Sequence, residues 1–313
     1  MNNTAFKKVT VILPAYNGEK FIAEQIESLL SQTWQNLDIY IRDDLSRDRT
    51  LEVVRSFVGR EPAGKRIILP AGSPSNRGYI RNVFDSWAET APSDYYCFCD
   101  QDDVWYPDKI EKSVALLESK GTDRPALCFT GYNYCDAALH FLRRSDPVPP
   151  EPPLRAVCYD FPVLNFTVTV NHAFREAFFA NLPPDGQYPN YPDSWMAKMA
   201  ACYGRLYALD EVLADYRRND QAASWSNHNA LSLLFWRVRM FLFGDEPKKI
   251  TKELRDLRTV FDPVLSQENR KMLEIFTVRN FPNYFRRLFY PARLRRRAAE
   301  ELELRLLFLL GRL

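Results

Sequence analysis

Tyr95-Tyr96-Cys97-Phe98-Cys99-Asp100-Gln101-Asp102-Asp103-Val104-Trp105-Tyr106-Pro107 decides the reading of this chain. Five apolar or aromatic residues form a short buried strand, and the acidic cluster follows with no turn residue between them. Three carboxylates within four residues repel one another unless a cation or water screens them. A hard divalent ion, Mg²⁺ or Mn²⁺, takes one or two such carboxylates and completes its octahedron with water and phosphate oxygens. The plainer alternative is a solvated acidic turn ahead of the helix that Pro107 opens. The position of the cluster at a strand end favours the ion.

Working outward, the chain alternates strand and helix. Val9-Thr10-Val11-Ile12-Leu13 is a β-rich run ended by Pro14. Ile22, Ile26, Leu29 and Leu30 recur at helical spacing. Ile39-Tyr40-Ile41 is a second strand closed by Asp43-Asp44. Ser46 is the expected cap of a helix whose buried stripe is Leu51, Val54 and Phe57. Arg66-Ile67-Ile68-Leu69 is a further strand. Short links between such elements imply right-handed crossovers and an α/β fold with a mostly parallel sheet. Ligands bind beyond the carboxyl ends of such strands. Asp43-Asp44 and Asp100 to Asp103 both fall there, so one crevice collects them. Beyond residue 140 the pattern weakens: a proline-dense loop at 146–153, a β-like run at 163–170 and a helical run at 194–201.

Five motifs stand in one order: Val11 to Gly18, Gln32-Thr33, Arg42 to Thr50, Asn76-Arg77-Gly78, and Asp100 to Ile110. Together they resemble the inverting family 2 glycosyltransferases of the GT-A fold. The Asp-Gln-Asp-Asp-Val-Trp version is most similar to the bacterial polysaccharide rhamnosyltransferase branch. The resemblance covers residues 8–120 strongly and 160–218 loosely. It implies a nucleotide-sugar site in which Pro14 and Tyr16 flank the nucleotide, Asp44 contacts base or ribose, Arg81 contacts the nucleotide and Asp102 the ribose. Asp103 would hold Mg²⁺ or Mn²⁺ on a diphosphate leaving group. A cation there stabilises the charge that develops as the nucleoside diphosphate departs. Inversion by a single displacement asks for one general base. Asp193, in Tyr191-Pro192-Asp193-Ser194-Trp195, is the candidate; the same residue is also a good helix N-cap.

Two departures from the family pattern bear on sugar and acceptor. Tyr216-Arg217-Arg218-Asn219 has Asn where the branch often has His, so the chain either does without that His or uses Asn219 or Arg217 in its place. Residues Asn165 to Asn171 lack an expected glycine. The rival readings are a catalytically silent nucleotide-sugar-binding or scaffold protein of the same fold, and a nucleotidyltransferase. The latter calls for a glycine-rich phosphate loop that Ala15-Tyr16-Asn17-Gly18 does not supply.

Composition sets the bounds. The 313 residues carry a net charge of only +2, but unevenly. Residues 230–313 hold 18 Lys+Arg against 10 Asp+Glu, a net +8, and residues 1–229 a net −6. Two regions follow: a nucleotide-sugar-binding and catalytic domain at 1–229, and a basic, amphipathic helical region at 230–313. In the latter, Leu231 to Leu242 form an apolar stripe, and Arg286, Arg287 and Arg295 to Arg297 border apolar runs. Such faces suit the anionic surface of the cytoplasmic membrane or a homo-oligomer contact. No stacking-aromatic motif accompanies the arginines, so nucleic acid is not an expected partner. The expected acceptor is a lipid-linked saccharide. No secretory signal or spanning segment is evident, which with the six unpaired-looking cysteines gives a cytoplasmic, membrane-peripheral expectation without zinc or disulfides.

Overall fold

The computed structural model describes residues 6–72, 75–121, 123–189, 191–218 and 244–313. Its first half runs β1 (Val9–Ala15), α1 (Ile22–Leu30), β2 (Leu37–Asp43), α2 (Thr50–Phe57), β3 (Lys65–Ile68), α3 (Tyr79–Glu89), β4 (Tyr95–Phe98), β5 (Val104–Trp105) and α4 (Lys109–Lys120). The second half adds β6 (Ala126–Cys135), β7 (Phe141–Arg144), α5 (Arg155–Cys158), β8 (Val168–Asn171), α6 (His172–Ala180), α7 (Pro192–Cys202) and β9 (Arg205–Arg217). Four helices follow: α8 (Glu246–Phe261), α9 (Gln267–Thr277), α10 (Phe281–Leu288) and α11 (Ala298–Leu309).

The strands form one sheet in the order β3-β2-β1-β4-β8-β6-β9-β5, with β7 on β6. The four strands β3, β2, β1 and β4 are parallel, as the short strand–helix links require. The other half is mixed: β8 runs antiparallel to β4 and β6, whereas β9 runs parallel to β6.

Period-two alternation sorts the side chains to two cores. Val9, Val11 and Leu13 of β1 face α1 and α4, with Ile26, Leu29, Ile110 and Val114. Ile12, Tyr96 and Phe98 face the opposite layer, with Phe84 and Trp87 of α3 and Trp195 and Met196 of α7. That second core continues without a break into Leu254 and Leu257 of α8, Leu273 and Phe276 of α9, and Leu304 and Phe308 of α11. The helices from 246 onward therefore complete the sheet's own core. The expected border at 229 and the stripe Leu231 to Leu242 lie outside the described residues.

Part of the basic run of this region is engaged within the fold. Arg287 is buried and donates to the Leu313 carbonyl at 2.9 Å. Arg296 pairs with Asp160 at 2.7 Å and donates to the Asp146 carbonyl. Arg297 pairs with Asp146, also at 2.7 Å. Arg296 and Arg297 staple the C-terminal helices to the proline-dense loop and the segment after it, because a guanidinium brought near a half-buried carboxylate is better satisfied there than at a distant surface. Arg287 instead ties α10 to Leu313. All six cysteines are free, five of them buried. Among the described residues no helix is long and apolar enough to cross a membrane.

Candidate active site

The carboxyl ends of β1, β2 and β4 open on a cleft of about 550 Å³. Since β1 lies between β2 and β4, the acidic residues after each outer strand reach one space: Asp44 from β2, Asp100 and Asp102 from β4. Pro14 and Tyr16 line it from β1, and Asp193 from the start of α7. Five of the seven expected site residues thus share the cleft.

The floor is tied together by Gln101. Its Oε1 accepts the Tyr16 N–H at 2.8 Å and its Nε2 donates to the Tyr16 carbonyl at 2.9 Å. Gly18 permits this approach; a Cβ there would stand 2.4 Å from Gln101 Oε1. Ser46 does not cap α2. Its Oγ accepts the Asn17 N–H at 2.9 Å, while Asp48 accepts the Glu19 and Thr50 N–H groups. The two loops brace each other, and α2 begins at Thr50 with no side-chain cap.

Asp44 is buried, and its carboxylate accepts the backbone N–H groups of Arg77 and Gly78 at 2.8 Å each. It holds the 76–78 loop against the cleft. Gly78, at φ 76°, adopts a backbone that a side chain would disfavour.

The acidic cluster divides by burial. Asp100 and Asp102 face the cleft, whereas Asp103 is fully buried and does not line it. Asp103 Oδ1 accepts the Arg217 N–H at 3.0 Å, and Oδ2 has no hydrogen-bond partner among the described residues. Asp103 is thus set behind the wall on which a metal ligand is expected, and Asp102 takes the facing position. Burial raises the Asp100 pKa to about 7, with the charge of Asp102 adding to it. Burial and both neighbours push Asp103 in the same direction. This excess of negative charge, with an orphaned buried oxygen in its midst, fits a divalent cation. Among the described residues no three acidic, His or Cys side chains converge to enclose an ion by themselves. An ion that takes one or two protein carboxylates and fills its shell from phosphates and water requires no such enclosure.

Arg217 does not face this space. Its guanidinium donates to the carbonyls of Asp102 and Ala137 and pairs with Glu24, which fastens β9 to the acidic loop. Asn219 lies outside the described residues. Arg81 is exposed on a neighbouring groove and contacts Gln187 Oε1 at 3.4 Å. It does not line the cleft, whereas Tyr79 and Asn82 of the same helix do.

Asp193 departs from the capping role open to it. The α7 N-cap is Tyr191, with Pro192 in the first turn, and Asp193 follows one place inside. Its Oδ1 accepts the neighbouring Ser194 N–H at 2.8 Å. The carboxyl is half-buried on the cleft wall. Burial pushes its pKa up to about 6; the Ser194 N–H and Lys198 oppose that rise and Glu253 adds to it.

Several lining residues were not expected from the sequence. Tyr79 donates to Asp100 Oδ1 at 2.8 Å and accepts from Asn165 Nδ2 at 3.0 Å. Asn82 donates to the Arg42 carbonyl at 3.0 Å. The amide oxygens of Asn82 and Asn165 are buried and lack partners among the described residues. Phe166 stacks on Tyr216 at 5.2 Å to form an apolar wall. Tyr79 follows directly on Asn76-Arg77-Gly78, and Asn165 and Phe166 open the segment 165–171 that the sequence singles out; Asn82 carries no local mark.

Comparison with known proteins adds three findings. The family model described as "Glycosyl transferase family 2" matches residues 10–182. The chain is 36% identical over 107 residues to the dTDP-rhamnosyl transferase RfbG of Shigella flexneri. It is 30% identical over 140 residues to an uncharacterized glycosyltransferase of Rickettsia typhi. These matches span 34% and 45% of this chain, but only 36% and 41% of the relatives' own lengths. In fold it is similar to residues 1–349 of S. aureus TarS, solved with UDP-GlcNAc, at a TM-score of 0.56 and 16% identity, covering 97% of this chain and 91% of that one.

Proposed function

Because the chain belongs to glycosyl transferase family 2, we propose that it transfers a sugar, with inversion, from a nucleoside-diphosphate donor to a lipid-linked saccharide of a surface polysaccharide. The first donor to test is dTDP-L-rhamnose, which the partial likeness to a dTDP-rhamnosyl transferase favours. One observation carries the reading: an uncapping, half-buried carboxylate, Asp193, shares a cleft with Asp44, Asp100 and Asp102 from the parallel strand ends.

Asp193 accepts the proton of the acceptor hydroxyl as the hydroxyl oxygen attacks the anomeric carbon. The bond between that carbon and the diphosphate oxygen breaks on the opposite face. A carboxyl titrating near 6 is ionised at neutral pH yet basic enough to take that proton. Pro14 and Tyr16 flank the nucleotide, and Asp44 acts chiefly by holding the 76–78 loop in place. The unpartnered Asn82 and Asn165 oxygens are acceptors for donor N–H or O–H groups. Asp102 is the side chain for the cation, with Asp103 as the buried anchor behind it. A bound Mg²⁺ or Mn²⁺ would supply charge stabilisation to the departing diphosphate.

The membrane contact of this reading rests on α10 and α11. Phe281, Phe289 and Leu302 are 78%, 71% and 72% exposed, and Phe285, Leu306, Leu309 and Leu310 are exposed beside them. The two helices lie side by side, Tyr284 Oη donating to the Leu309 carbonyl at 2.7 Å. Arg279, Arg286 and Arg293 are exposed near this face, and none has a carboxylate partner among the described residues. An apolar face with unpaired arginines suits an anionic bilayer surface.

The deciding experiment is hydrolysis of a panel of nucleotide sugars by the purified protein with Mg²⁺ or Mn²⁺. Turnover of a single donor, lost in Asp193→Asn, supports the proposal. Binding of nucleotide sugars without turnover of any would return the chain to a silent binding protein.

A further inference from the structure

Behind Asp193 lies an ion pair that the cleft does not explain. Lys198 Nζ stands 2.9 Å from Glu253 Oε2, with Lys198 fully buried and Glu253 8% exposed. Lys198 also donates to Ser194 Oγ, and that oxygen lies 3.4 Å from the same Glu253 atom. Ser194 and Lys198 are one helical turn apart on one face of α7. Glu253 comes from α8, in the C-terminal helices. Asp193 joins the group through the Ser194 N–H. Neither Lys198 nor Glu253 lines the cleft.

A buried ion pair gains little stability over well-packed apolar residues, because desolvation offsets the attraction. Here it stands directly behind the turn of α7 that brings Asp193 to the cleft, and that turn has no side-chain cap. We infer that Lys198 and Glu253 are positioning residues for Asp193: through Ser194 they clamp the first turn of α7, so that a C-terminal helix sets the geometry and local charge of the general base. The inference rests on the reading of Asp193 as that base.

The two charges act on Asp193 in opposite directions, Glu253 strengthening its hold on a proton and Lys198 weakening it. The other titratable groups that face Asp193 are Asp100 beyond β4 and Tyr79 on α3. Both stay in place when the pair is altered. Phe161, whose ring lies 5.4 Å from Lys198 Nζ, carries no charge.

Two readouts on the full chain test the inference. The titration of Asp193 is followed by carboxyl ¹³C NMR, its resonance identified by its loss in Asp193→Asn. Glu253→Gln should move that titration to lower pH and Lys198→Met to higher pH, each by about half a unit, about threefold in proton affinity. The acid limb of dTDP-L-rhamnose hydrolysis should move with them. Lys198→Met/Glu253→Met removes both charges, and its titration should return towards that of the wild type. Its fold should hold, while kcat falls about tenfold at unchanged donor KM.

Shifts of the same sign, no shift, or an unchanged kcat in the folded double variant would each overturn the inference. Should either single variant fail to fold, the double variant's kcat decides. If Asp193→Asn keeps normal turnover, it is the base assignment that has failed; the NMR shifts then still report whether the pair governs Asp193.

Discussion

Gln101 holds the backbone of Tyr16 from both sides, through its Oε1 at 2.8 Å and its Nε2 at 2.9 Å. This pairing joins the loop after β4 to the end of β1 and closes the floor of the cleft. Gln101→Ala should leave two backbone groups to water and loosen Tyr16. Two neutral hydrogen bonds contribute about 1–3 kcal/mol together. Donor KM should rise while kcat at saturation changes little; a kinetic comparison with the wild type measures this directly.

Asp193→Asn tests the base. The variant keeps an oxygen that can accept the Ser194 N–H, so thermal melting should stay close to that of the wild type. Transfer should drop about 10²–10⁴-fold with nucleotide binding retained. Near-normal transfer would return Asp193 to a structural role.

The pH dependence follows from the same residue. With Asp193 as the proposed base, turnover should fall as pH drops through about 6, where Asp193 takes up its proton. Stability carries the opposite sign. The folded chain binds this proton more tightly than the unfolded one, so the contribution is present at low pH and is lost as pH rises through about 6. A pH–rate profile flat down to pH 4.5 would contradict the assignment.

Asp102 and Asp103 should separate in their effects. Asp102→Asn should abolish the metal dependence of nucleoside-diphosphate binding, measured by calorimetry with and without EDTA, on an intact fold. Asp103→Ala removes the buried acceptor of the Arg217 N–H and should cost about 1–3 kcal/mol of stability. Wild-type activity undiminished by EDTA would exclude the cation.

Arginines of the C-terminal helices should divide in the same manner. Arg296→Ala breaks the pair with Asp160 and should lower the melting temperature with little effect on vesicles. Arg286→Ala should weaken sedimentation with anionic vesicles by about 1 kcal/mol and leave melting unchanged. Phe285→Ser/Phe289→Ser should remove the part of binding that persists at high salt. An intact protein that ignores anionic vesicles and forms oligomers through this face would make it a self-association surface.

Much of the first half was legible in sequence because its signals are local. A strand such as Val9 to Leu13 announces itself by composition, and short links force the parallel order that brings Asp44 to Asp100. The motif from Asp100 to Asp103 marks the strand end that carries the site. Which of its carboxylates faces the cleft was not legible: a one-residue step along an irregular loop turns Asp102 outward and Asp103 inward, and Arg217, 114 residues away, fixes the choice. The same limit applies to the basic helices. Sequence counts their charges, but whether an arginine meets solvent or a carboxylate depends on what the fold sets beside it. Asp160 and Asp146 claim Arg296 and Arg297, and the Leu313 carbonyl claims Arg287. Nor does any periodicity within α7 or α8 disclose that Lys198 meets Glu253 beneath Asp193, because that contact exists only once the two helices share a core.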